Sequence, residues 1–288
     1  VLFMGGTVVL PHEQTPEEIL RLIDLHQVTV GFGNPDFLAA MARSPLWEEV
    51  DLTSLRFIIA GGAAVPARLI RTYRDRGVEL LQGYGLSEAG PACLLLQPHD
   101  SLRKIGSAGK PILQVDARLV DASGSDVARG EVGELLVRGP NVMAGYWRQP
   151  EATRRAFTTD GWLRTGDAAR QDREGYLYIL DRVTDRFETG GRTIFPHDVE
   201  DVLLSHEAVA EAAVVGVPDE HLGRVGAAFV VLAPQARVDK SELLERCRQC
   251  LDPWQVPASV TFLAQIPRSS VGKPLRDKLV LMSPDDER

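Results

Sequence analysis

Cysteine is scarce. Cys93, Cys247 and Cys250 are the only three in 288 residues, too few and too unevenly placed for a disulfide framework. Cys247 and Cys250 form a C-x-x-C, but inside a helical run over 241–251 with no second ligand pair nearby. Ordinary thiols in a reducing cytoplasm are therefore expected, not a redox or zinc site. The six histidines show no metal-ligand spacing. Basic residues are in deficit: 32 Lys and Arg face 40 Asp and Glu, for a net charge of −8. That balance excludes nucleic acid or an anionic membrane surface as the main partner. No apolar run approaches the roughly 20 residues that span a bilayer. The opening VLFMGGTVVL has no basic flank and no small-residue cleavage site, so no leader is expected there. It begins without Met and directly in a strand-like run, and a truncated start is expected. The closing SPDDER is no recognised address signal, and no internal repeat or low-complexity tract occurs.

What is present is an ordinary globular mix, 44% hydrophobic and 25% charged, long enough for one good core and a second, smaller one. Thr15 is placed to cap a helix, with Pro16 at its first position and Glu18 completing a capping box. Ile19, Leu22 and Ile23 give that helix an apolar stripe. Residues 28–30 read as a strand, 34–41 as a helix and 55–60 as a buried strand. A helix over 66–76, stopped by Gly77, and a strand over 78–81 follow. Such alternation implies a parallel sheet with ligands at the carboxyl ends of its strands.

Two glycine-bearing exits lie at such ends. The first, Gly61-Gly62-Ala63-Ala64, serves equally as a tight turn or as a place where a flat ring approaches the backbone. The second, Gln82-Gly83-Tyr84-Gly85-Leu86-Ser87-Glu88, crowds an amide, an aromatic ring, a hydroxyl and a carboxylate onto one turn. That set suits base recognition, stacking, phosphate contact and metal binding.

Between Pro111 and Asp181 the helical period lapses, apart from one helix near 150–156. Strands over 115–120 and 134–137 suggest a small β-barrel subdomain, with Gly139, Gly145 and Tyr146 as architectural residues. Residues 161–200 are the stretch around which the chain is organised. Thr165-Gly166-Asp167 reads as a turn and 176–180 as a half-buried strand ending in Asp181-Arg182. The pair Gly190-Gly191 and an acidic helix start at 197–200 come next. A turn carboxylate and a strand-end cation can grip a ribose or phosphate, or make a surface salt bridge. Beyond Arg182 the pattern is a compact α+β unit: helix 199–204, strands 211–216 and 226–232 joined by 218–221, helix 240–251 and strand 259–263. It ends in the loop 267–273. Lys273, after Gly272 in a Ser-Gly loop, can place a point charge on an oxyanion, or be an exposed lysine with no role.

In this order the pieces resemble the adenylate-forming superfamily of acyl-CoA synthetases, firefly luciferase and peptide-synthetase adenylation domains. GWLRTGD at 161–167 is similar to that family's W-x-x-T-G-D element. Residues 181–200 resemble its hinge segment, D/G-R-x-x-D followed by G-G-x-x-I-x-P-x-x-V-E. GEVGEL at 130–135 resembles G-E-x-G-E-L. YGLSE at 84–88 is similar to Y-G-x-T-E, with Ser87 where Thr is usual. PRSSVGK at 267–273 resembles the catalytic-lysine loop P-R-x-x-x-G-K. The resemblance runs from about residue 1 to 285.

It implies an α/β fold: a partial parallel large domain over 1–110, a β-barrel subdomain over 111–182 and a mobile α+β carboxyl-terminal lid over 183–288, with the boundary at 182–184. It also implies two-step ligation. A carboxylate attacks the α-phosphate of ATP, pyrophosphate leaves, and the thiol of CoA then displaces AMP. The resemblance assigns Glu88 to Mg²⁺ and Ser87 to phosphate contact. It gives Gly62, Ala63, Ala64, Tyr84 and Gly85 to the nucleotide walls, Gln82 to the adenine amino edge, and Asp167 and Arg182 to the ribose. Lys273 would sit on the carboxylate and α-phosphate during adenylation. After the small domain turns about Thr184, Gly190 and Gly191 would face the pantetheine of CoA.

Two departures stand out. The family's phosphate loop, T-S-G-T-T-G-x-P-K, is absent and would lie before residue 1, so these residues alone are expected to be inactive. Thr184 takes a position where related chains usually carry Asp or Lys. The expected function is an ATP-dependent carboxylic acid–CoA ligase for a fatty or other apolar acyl or aryl acid, cytoplasmic, with no nucleic-acid partner. Its acyl pocket is expected around 30–34, Gly61 and 85–90. The alternatives are an amino-acid adenylation domain of a peptide synthetase and a non-catalytic nucleotide-binding remnant. Gly190-Gly191 followed by Ile194-Phe195-Pro196 and Val199-Glu200 looks like the CoA-ligase form of the hinge segment.

Overall fold

In the computed structural model, residues 1–63, 65–268 and 274–282 are described. The chain forms two compact units, Val1–Thr165 with Arg170–Ile179, and Gly166–Ala169 with Leu180–Arg288. Two expected site residues, Ala64 and Lys273, lie outside the described residues.

In the first unit, Thr15 Oγ1 accepts from Glu18 N at 3.3 Å and starts α1 (Pro16–His26). The Glu18 carboxylate does not return to Thr15; it accepts from the amides of His12 and Glu13, at 2.7 and 3.0 Å. Only half of the expected capping box therefore forms, and the other half ties down the turn before it. Next come β1 (Val30–Gly33), α2 (Pro35–Arg43), β2 (Phe57–Ala60), α3 (Ala67–Asp75) and β3 (Glu79–Tyr84). Asn34 caps α2 by accepting from Phe37 N at 2.8 Å, and Gly77, at φ +77°, follows α3.

Strands β1, β2 and β3 are parallel, as expected. The short strands β4 (Leu94–Leu95) and β5 (Lys110–Pro111) then join antiparallel, in the order β1-β2-β3-β4-β5. The sheet is mixed because the chain returns from β3 without the crossover helix that parallel pairing needs. Gln82, Gly83 and Tyr84, read as part of a turn, are the last residues of β3. Leu20, Leu38, Met41, Ile58, Ile70, Tyr73 and Leu80 form the buried core. The Tyr73 hydroxyl, deep inside it, donates to Leu38 O at 2.9 Å.

Four further strands, β6 (Asp116–Val120), β7 (Val132–Arg138), β8 (Leu163–Gln171) and β9 (Leu177–Arg182), form a sheet in the order β6-β7-β8-β9. It is open: the expected barrel does not close, and four strands are too few to curl around a packed interior. Helix α4 (Pro150–Ala156) interrupts it where the sequence suggests. Thr165-Gly166-Asp167 is not a turn either; it lies inside β8, with Gly166 at φ +70°. A buried carboxylate, Asp100, is held by Arg103 at 2.7 Å and by the Tyr176 hydroxyl. Lys104 Nζ lies 2.6 Å from both Asp172 and Glu174.

The second unit contains β10 (Phe187–Thr189), β11 (Arg192–Ile194), α5 (Pro196–Leu204), β12 (Val209–Asp219), β13 (Gly223–Leu232), α6 (Lys240–Cys250), β14 (Ser259–Phe262) and α7 (Arg276–Leu281). Its sheet runs β11-β10-β13-β12, with β14 parallel to β13. Long β12 and β13 leave only 220–222 as their connection, shorter than the sequence suggests. Phe187, Val199, Leu203, Val214, Val230, Leu243 and Cys247 make its core.

Candidate active site

In the first unit the site residues gather where β2 and β3 end. Beyond Ala60 the chain turns through Gly62 at φ +90°, a left-handed conformation that suits glycine. Gln82, 7% exposed, fastens that turn: its Oε1 accepts from Val65 N at 3.1 Å. An amide oxygen carries two lone pairs, and Val65 N engages one of them. A Cβ at Gly85 would lie 2.6 Å from Pro91 O, so backbone packing alone demands glycine there. Phe32, 73% exposed, sets its ring edge 3.6 Å from where a Gly61 Cβ would stand. An apolar face thus borders the first glycine exit.

Ser87–Ala89 is a single 3-10 turn. It is held from 52–58 residues away along the chain, a distance over which no local sequence signal acts. Tyr146 Oη donates to Glu88 Oε1 at 2.8 Å, Met143 N donates to Glu88 O at 2.8 Å, and Asn141 Nδ2 donates to Ala89 O at 2.6 Å. The hydrogen bond to Glu88 raises the Tyr146 pKa. Among the described residues no group of three or more His, Cys, Asp and Glu could hold a metal on its own. A lone carboxylate beside a hydroxyl nevertheless fits Mg²⁺, which commonly takes one or two protein carboxylates and completes its shell with substrate phosphates.

In the second unit, Arg182 Nε lies 3.0 Å from Asp167 Oδ1, the carboxylate being buried and the guanidinium half-exposed. Val183 N donates to Gly166 O at 2.8 Å and Asp185 N to Arg182 O at 3.0 Å, so the expected hinge begins as a tight turn. Thr184 Oγ1 reaches Asp185 Oδ1 at 3.3 Å. Gly190 and Gly191, at φ +54° and +76°, are the two central residues of the hairpin joining β10 to β11. Such a turn requires positive φ at both positions, which explains the glycine pair without any ligand. The loop expected to carry Lys273 has a described base: Leu275 N donates to Pro267 O at 2.8 Å, and Arg268 bridges Pro274. Cys93 and Cys247 are buried, which pushes each thiol up to about 11. Cys250 is exposed, so the C-x-x-C pair does not share one environment.

The chain matches the family model for AMP-binding enzymes over residues 1–147 and that for their C-terminal domain over 198–273. It belongs to the AMP-binding enzymes, the adenylate-forming superfamily. It is 44% identical over 278 residues to a feruloyl-CoA synthase from Amycolatopsis sp, covering 96% of this chain and 56% of that protein. It is 38% identical over 283 residues to a long-chain-fatty-acid–CoA ligase from Bacillus subtilis, covering 96% of this chain and 50% of that one. Among solved structures, the amide bond synthetase McbA from Marinactinospora thermotolerans superposes with a TM-score of 0.91 at 37% identity, covering 97% of this chain and 57% of that one. This AMP-binding enzyme chain therefore spans about half the length of the curated relatives it matches. Among the described residues no helix is long and apolar enough to cross a membrane.

Proposed function

We propose that the complete protein is an ATP-dependent carboxylic acid–CoA ligase. The observation that carries this reading is the Ser87–Glu88 turn. It follows parallel strand β3, which ends in Gln82, Gly83 and Tyr84, and carries a hydroxyl and a carboxylate, the carboxylate held by Tyr146. The CoA-ligase names of relatives aligned over 96% of the chain support it. A carboxylate acylates poorly because its oxygen is a bad leaving group. In this reading the acid's oxygen attacks the α-phosphate of ATP and pyrophosphate departs. The sulfur of CoA then attacks the acyl carbon, AMP departs, and the thiol proton is released.

Positioning and charge neutralisation dominate such phosphoryl chemistry. Glu88 would hold Mg²⁺, which neutralises phosphate charge when bound, and Ser87 would donate to a phosphate oxygen. Tyr84, Gly85, Gly62, Ala63 and Ala64 contact the nucleotide in this reading, with Gln82 on the adenine amino group and Asp167 and Arg182 on the ribose hydroxyls. Lys273 is assigned to the acid and α-phosphate during adenylation, Gly190 and Gly191 to the pantetheine, and Thr184 to the turning point. The division into 1–110, 111–182 and 183–288 belongs to the same reading. Exposed Phe32 beside Gly61 favours an apolar acyl or aryl acid.

The test is pyrophosphate release by the complete protein with ferulic acid, a long-chain fatty acid and an amino acid, followed by mass detection of products with CoA. Release with an apolar acid and a CoA thioester as product is expected. No release with any acid, or release with amino acids alone, contradicts the reading. The likeness to an amide bond synthetase favours a second reading, in which an amine displaces AMP. An amide formed from the same acid without CoA would select it.

A further inference from the structure

Four ionisable side chains meet in the second unit at a place to which the ligation chemistry assigns no role. Arg276 opens α7. Its Nη1 donates to Glu200 Oε1 and to Val214 O, both at 2.6 Å. Its Nη2 lies 3.3 Å from Asp181 Oδ1, and its Nε 3.3 Å from Asp185 Oδ2. The Glu200 and Asp181 side chains are 15% and 4% exposed. Glu200 Oε1 also accepts from Val214 N at 2.7 Å.

One guanidinium facing three carboxylates is more than structural pairing requires. Buried Glu200 needs a counter-charge, and Arg276 supplies it. Asp181 and Asp185 are additional, and their places in the chain are informative: one precedes Thr184 and the other follows it. A change of backbone torsion at Thr184 carries Asp185 and Arg276 together, because both lie beyond it. The same change draws Asp181 away from Arg276. Asp181 is also tied beyond Thr184 by its Oδ2, which accepts from His197 N at 2.9 Å. Arg276 in turn adjoins Leu275, whose amide donates to Pro267 O at 2.8 Å.

We infer that Arg276 is a positioning residue that clasps both sides of Thr184, with the Arg276–Asp181 contact opposing torsion there and the Arg276–Asp185 contact travelling with it. The placement of the turning point at Thr184 rests on the proposed ligase reading; the clasp itself rests on the geometry. Arg276→Ala leaves Glu200 buried and uncompensated, and loss of the fold is its expected result. The informative substitution is Asp181→Asn, which removes the charge facing Arg276 and keeps an acceptor for His197 N. Asp185→Asn is its control.

The first measurement is amide hydrogen exchange in this 288-residue chain. With Asp181→Asn, exchange at Val183 and Asp185 should rise about tenfold while Phe229 and Val230, inside β13, stay protected. No rise, or an equal rise throughout the second unit, overturns the clasp and leaves Asp181 a merely structural residue. The second measurement is the ratio of thioester formation to adenylation in the complete protein. Asp181→Asn should shift that ratio at least about threefold with the KM for ATP unchanged, and Asp185→Asn should not. Equal loss in both half-reactions overturns the positioning role. If the wild-type protein forms no thioester, the ligase reading fails, and the exchange result still decides the clasp.

Discussion

Tyr146 Oη donates a 2.8 Å hydrogen bond to Glu88 Oε1, joining residues 58 positions apart. The sequence marks Tyr146 as architectural, but its hydroxyl orients the one carboxylate proposed to hold Mg²⁺. Tyr146→Phe should therefore raise the Mg²⁺ concentration for half-maximal pyrophosphate release by about tenfold, the scale of one lost charge-assisted hydrogen bond. Thermal stability should change little, because the residue is partly exposed. A Mg²⁺ titration of the variant checks this, and an unchanged curve would remove Tyr146 from the site.

Thr184→Pro tests the turning point. Proline fixes φ near −65° and restricts the preceding Val183 as well. In the complete protein, adenylation is expected to stay within about an order of magnitude while CoA transfer slows sharply. Single-turnover kinetics of each half-reaction separate the two. If both fall together, Thr184 is a folding residue and the turning point lies elsewhere.

His197 predicts a pH dependence of stability. Burial disfavours its charged form, but Asp181, Asp198 and Asp201 favour it more, so it titrates above its ordinary 6.5. A raised folded-state pKa means that the bound proton stabilises the fold. The contribution is complete below about 6.5 and is lost as pH rises through the higher folded value. The stability difference between wild type and His197→Gln should accordingly shrink between about pH 6 and pH 9 in urea unfolding. A difference constant across that range would show that the charge plays no part.

Local chemistry was legible in the sequence. Thr15 caps the helix it was expected to cap, a helix begins at the expected Asn34-Pro35, and Gly77 follows α3. Strand ends were not legible, because partners set them. Gly83 looks like turn composition, yet it pairs with Leu95 inside the sheet. A Cβ there would come 3.2 Å from Ile59 Cγ2, so its glycine serves close packing. Likewise Gly166 bends the backbone within β8 without ending the strand. Contacts between distant residues left no trace at all: Tyr146 with Glu88, and Arg276 with Glu200 across 76 positions. Conversely, Gly190-Gly191 was legible for a reason the hairpin alone supplies.

The most direct test of the proposed chemistry is Lys273→Ala in the complete protein, with the two half-reactions measured apart. Acyl-adenylate formation, followed as pyrophosphate release, should fall by about 10²–10³, the usual scale for losing a group that stabilises developing charge. Thioester formation from supplied acyl-adenylate and CoA should be largely spared. Equal loss in both half-reactions, or undiminished pyrophosphate release, would contradict the assignment of Lys273 to the adenylation step.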